Sequence, residues 1–60
     1  MTQEARILLV DDEVSIQRAV GPLLRSRGYL VDIAGTGTEA LKIVDERTPD
    51  LIVLDLGLPD

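Results

Sequence analysis

Two short apolar runs in this sequence end abruptly in acid. Ile7-Leu8-Leu9-Val10 is stopped by Asp11 and Asp12, and Leu51-Ile52-Val53-Leu54 is stopped by Asp55. If both runs are neighbouring strands of one parallel sheet, the three carboxylates collect at its carboxyl edge, where open α/β sheets bind their ligands. Adjacent strands lie about 4.8 Å apart. Three like charges that close repel strongly, and a divalent cation is the usual way to offset this. The chain has no cysteine and no histidine, so its metal donors are carboxylates and backbone carbonyls. These hard oxygens suit Mg²⁺, Ca²⁺ or Mn²⁺ rather than zinc or copper. Plainer uses stand beside these. Asp11 or Asp12 suits a helix N-cap, and Asp55 suits a turn. Glu13 reads as a solvated first-turn acid, with a water-mediated metal contact as its second reading. Gly57 offers a permissive backbone, and Pro59 a stiff loop.

The elements that must position these residues follow from spacing and punctuation. The first run, short and bounded by charge, reads as a strand covered on both faces. From Val14 the period turns helical: Ile16, Ala19, Val20, Leu23 and Leu24 share a face, while Gln17, Arg18 and Arg25 point away. Gly21-Pro22 predicts a kink or an early end, because proline lacks a donor and crowds the Arg18 carbonyl. Gly28 is a natural stop. A second strand follows from Leu30 to Ala34. Thr36-Gly37-Thr38-Glu39 fits a capping box, with Thr36 as N-cap and Glu39 reaching back to its amide. The helix it opens turns Ala40, Leu41 and Val44 inward and Lys42, Asp45 and Glu46 outward, until Thr48-Pro49-Asp50 breaks it. The apolar run at Leu51 is a third buried strand. The expected elements are thus strands over 6–10, 30–34 and 51–55 and helices over 14–27 and 37–47. Short connections and right-handed crossovers make this a single three-layer α/β unit with a parallel sheet.

Composition excludes several function classes. Net charge is −5, from eleven acids against six bases, which leaves no basic face for nucleic acid. Tyr29 is the only aromatic residue, so there is no stacking platform for bases. The N-terminal residues carry no signal-peptide core and no apolar run is long enough to span a membrane, which predicts a cytoplasmic chain. Asp32, Asp45, Glu46 and Asp50 read as surface charge. Arg18, Arg25 and Arg27 read as a solvated helix face, with partner docking as the alternative. No G-x-G-x-x-G follows the first strand and no G-K-[ST] occurs, so the dinucleotide and P-loop readings lose their support.

Taken together, Ile7-Leu-Leu-Val-Asp-Asp-Glu13, Gly28-Tyr29, Glu39-Ala40-Leu41, Pro49-Asp-Leu-Ile-Val-Leu-Asp55 and Leu58-Pro59 resemble the receiver domains of two-component response regulators, in register over essentially the whole chain. The resemblance implies a partial flavodoxin-like β-α-β-α-β unit with strand order 2-1-3. It matches Asp55 to the family's phospho-accepting aspartate, Asp11 and Asp12 to its Mg²⁺-binding pair, and Gly57 to the residue whose backbone carbonyl completes the metal shell. A sensor histidine kinase is the implied phosphoryl donor. The chain would then be a signalling phosphoacceptor, at most promoting its own phosphorylation and dephosphorylation. The segment Leu54-Asp55-Leu56-Gly57-Leu58-Pro59-Asp60 further resembles the winged-helix transcription-factor branch, in particular the regulators of potassium-transport operons.

Receiver domains are roughly twice this length. The resemblance therefore implies truncation before strands four and five, without the family's phosphoryl-contacting Ser/Thr and Lys, its output face and any DNA-binding domain. An unpaired third-strand edge would also favour a homo-oligomer. Two rivals remain: a self-associating half-domain without working phosphotransfer, and a dehalogenase-type phosphatase. The second expects an aspartate two residues after the nucleophile, where this chain has Gly57.

Overall fold

A computed structural model describes residues 4–54. The elements run β1 (Arg6–Val10), α1 (Val14–Ser26), β2 (Leu30–Ala34), α2 (Gly37–Glu46) and β3 (Leu51–Leu54). The strands form one parallel sheet in the order β2-β1-β3. The register pairs Ile7 with Val31 and Leu51, and Val10 with Ala34 and Leu54. The unit is thus α/β with β1 central, in the order the receiver resemblance implies. Among the described residues no helix is long and apolar enough to cross a membrane.

Because side chains alternate along a strand, β1 feeds both faces of the sheet. Leu8 and Val10 join Ala34 on one face, where Ala40, Ile43 and Val44 of α2 pack on them. On the other face α1 lies so close to β2 that a Cβ at Gly21 would stand 3.1 Å from the Ile33 side chain. With both faces covered, Ile7, Leu8, Leu9 and Val10 are all buried. Full burial of one such side chain stabilises by about 1.5–3 kcal/mol.

The helix ends follow local chemistry. At the end of α1 the Gly28 amide donates to the Arg25 carbonyl and the Tyr29 amide to the Leu24 carbonyl. Gly28 takes φ +93°, as this left-handed glycine stop requires. Arg27 and Arg47 are the C-caps, so each helix ends one residue earlier than expected. Proline does not end α1: the helix runs through Pro22. Pro22 and Arg18 both lie on the exposed side, so the carbonyl that loses its donor faces solvent rather than the core. The Thr36 hydroxyl accepts from the Glu39 amide at 3.1 Å, but the Glu39 carboxylate accepts from Gly35 N–H at 2.7 Å rather than from Thr36. The box therefore clamps the β2–α2 loop one residue further back. Thr36→Ala should lower stability by about 1 kcal/mol, read as a reduced urea midpoint with unchanged slope.

Several side-chain placements differ from expectation. Leu41 is 74% exposed, and Ile43 takes the inward place beside Ala40 and Val44. Ala19 and Leu23 are exposed as well, because α1 leans over β2 rather than over the sheet centre. The third strand is not buried: Leu51, Ile52 and Leu54 are 56%, 46% and 57% exposed. Asp32 is no free surface charge. It accepts from Arg6 and Arg47, both at 3.0 Å, with its side chain 17% exposed. It thereby links β1, β2 and the end of α2. Asp50 is similarly engaged, accepting from the Arg6 amide at 2.7 Å.

Candidate functional site

The β1–α1 junction places one acid inside the protein and the next outside it. Asp11 continues the line of β1, and its amide donates to the Ala34 carbonyl at 3.0 Å. This extra rung holds it against β2 and buries it to 1% exposure, the only buried charged side chain among the described residues. Its Oδ1 accepts from the Glu13 amide at 2.8 Å. Its Oδ2 is buried and has no hydrogen-bond partner among the described residues. A buried polar atom left unpaired costs about 1–3 kcal/mol, and more when charged. Such an atom in a native structure calls for an explanation, and an ion is one of the few available.

Asp12 and Glu13 are exposed. Glu13 is the N-cap of α1 and its side chain makes no capping bond. The capping and metal readings of Asp11 therefore divide between its two oxygens. Oδ1 braces the turn that leads into the helix, and Oδ2 is left over. Asp55 and Gly57 lie outside the described residues. What is described is that Leu54, which precedes Asp55, pairs with Val10, which precedes Asp11. The described residues alone bring no three potential ligands together.

A hard divalent cation fits this donor set, because the orphaned Asp11 oxygen sits at the carboxyl end of the central strand with the Asp12 carboxylate next in sequence. Helical spacing missed one contributor. Gln17, expected to point away, is half-buried, and its Nε2 donates to the Asp11 carbonyl at 2.7 Å. Arg25, also expected outside, donates to the Val31 carbonyl at 3.0 Å. The signal for Gln17 was its place one turn past the N-cap, where a polar side chain can fold back over the loop.

The model of the response regulator receiver domain matches residues 7–60. The chain belongs to the response regulator receiver domain family. Among curated relatives, this receiver sequence is 50% identical over 54 residues to the transcriptional regulatory protein KdpE of Mycobacterium tuberculosis, covering 90% of the chain and 24% of that protein. It is 45% identical over 58 residues to the DNA-binding response regulator MtrA of Mycobacterium bovis, covering 97% of the chain and 25% of that protein. The receiver chain thus spans about a quarter of the length of the curated relatives it matches. No solved structure matches it.

Proposed function

We propose that this receiver domain accepts a phosphoryl group on Asp55 from the phosphohistidine of a sensor histidine kinase, with Mg²⁺ held by Asp11, Asp12, Asp55 and the Gly57 carbonyl. The observation that carries this reading is the buried, unpartnered Oδ2 of Asp11 beside the strand that leads to Asp55. In the reaction a carboxylate oxygen of Asp55 forms a bond to phosphorus as the bond from phosphorus to the histidine nitrogen breaks. The nitrogen leaves with the electron pair and the product is an acyl phosphate. Phosphoryl transfer demands mainly positioning and charge neutralisation. When bound, Mg²⁺ would neutralise phosphoryl oxygens. The chain's own share is to hold Asp11 rigid through Ala34 and Glu13 and to keep Asp12 open to solvent.

On this reading the domain is a signalling phosphoacceptor and not an enzyme acting on other molecules. The relatives' names, a transcriptional regulatory protein and a DNA-binding response regulator, extend the proposal to control of transcription by a winged-helix regulator in the cytoplasm, with the acidic receiver itself making no contact with nucleic acid. The test is incubation with Mg²⁺ and a small acyl phosphate or phosphoramidate. A hydroxylamine-labile phosphoryl group mapped to Asp55 by mass spectrometry supports the proposal, and its absence overturns it.

A second copy of the chain is a further proposed partner. Among the described residues β3 is a sheet edge with Leu51, Ile52 and Leu54 exposed, a template for strand-to-strand association. Sedimentation should show dimers or larger species that dissociate on dilution. A monomer at every concentration would remove this partner.

A further inference from the structure

We infer that Gln17 is a positioning residue for the acidic site, setting the direction of Asp11 and Asp12 through the carbonyl between them. The inference rests on the metal-site reading above. Asp11 is held at three points: its amide by Ala34, its Oδ1 by the Glu13 amide, and its carbonyl by Gln17 Nε2 at 2.7 Å. In the first two the partner of Asp11 is a backbone group. The third is the only one of the three supplied by a side chain donor.

The peptide that Gln17 grips joins Asp11 to Asp12, so its tilt sets how the exposed carboxylate stands relative to the buried one. Gln17 holds this loop twice, because its own amide also donates to the Glu13 carbonyl at 3.1 Å, opening α1. Residues 11–13 are thereby suspended between β2 and the first turn of the helix. Nε2 also lies 3.6 Å from where a Cβ on Gly35 would stand, so the same amide borders the β2–α2 loop. A half-buried amide that orients a ligand's peptide acts as outer-shell partners do, and loss of such partners typically weakens metal binding about 10–100-fold.

Two variants separate positioning from charge and from stability. Gln17→Met keeps the length and removes the donor. Gln17→Glu keeps the shape and adds a negative charge, which by electrostatics alone would tighten Mg²⁺. Mg²⁺ is titrated into each isotopically labelled chain and followed by NMR, with urea midpoints measured in parallel. We expect both variants to bind Mg²⁺ about tenfold more weakly, with urea midpoints lowered by the lost hydrogen bond but still showing a folded chain under the titration conditions. In metal-free protein the Asp11 carbonyl and Asp12 amide resonances should move. Parent-like affinity in Gln17→Met, tighter binding in Gln17→Glu, or unmoved metal-free resonances would each overturn the inference. A parent chain indifferent to Mg²⁺ would sink the metal reading instead, and the metal-free resonances would then decide whether Gln17 orients this peptide.

Discussion

Asp55→Asn should abolish Mg²⁺-dependent phosphorylation by a small phosphodonor, a loss of about a thousandfold or more, as follows from the proposal that Asp55 is the nucleophile. An amide matches a carboxylate in size but lacks the anionic oxygen that attacks phosphorus. The fold should not change, because the buried residues of the central strand are Ile7 to Val10 and the main helix contacts fall on β1 and β2. Intact-protein mass spectrometry against time reads the rate, and far-ultraviolet circular dichroism confirms the fold. Equal labelling of parent and variant would show that Asp55 is not the acceptor.

The second large effect has two signs in one variant. Asp11→Asn retains an oxygen that can accept from the Glu13 amide, as Oδ1 does at 2.8 Å. It removes the negative charge from a side chain that is 1% exposed with one unpartnered oxygen. In metal-free buffer the variant should be at least as stable as the parent and up to about 1 kcal/mol more so, since a buried uncompensated charge is costlier than a buried amide. With Mg²⁺ the order reverses. A parent that binds the ion gains about 2.7 kcal/mol at a hundredfold excess over its dissociation constant, and the variant should gain almost none. Urea unfolding with and without Mg²⁺ measures both effects. An equal Mg²⁺ gain in the two chains would exclude Asp11 as a ligand.

The two outcomes inform each other. Asp55→Asn removes both the proposed nucleophile and one proposed ligand, whereas Asp11→Asn leaves the proposed nucleophile in place. If phosphorylation fails in both while only Asp11→Asn changes stability without metal, the roles divide as proposed: Asp11 stores an unfavourable charge for the ion, and Asp55 carries the phosphoryl group. Gln17 then belongs with Asp11, since it touches that residue's carbonyl and none of the reacting atoms.

By itself the sequence determined the element order, the parallel α/β class and the strand-end position of the acid pair. These depend on short-range features: apolar runs cut off by charge, helical spacing between Gly and Pro, and the Thr36 cap. The tertiary structure alone decided which side of each element is covered. Leu41 and Leu51 carry the same side chain as Leu8, yet they are 74% and 56% exposed while Leu8 is fully buried. Burial depends on which helix lies over which strand, and no local pattern records that both helices lie over β2 and leave β3 open. Asp32 looked like surface charge because its arginine partners are 26 and 15 residues away in sequence. Asp11 and Asp12 are adjacent and chemically identical, and only the pairing of Asp11 with Ala34 buries the first and leaves the second in water. Gln17 was hidden for the same physical reason: a helix period describes the face turned to a core, and this side chain folds back along the helix toward the loop before it.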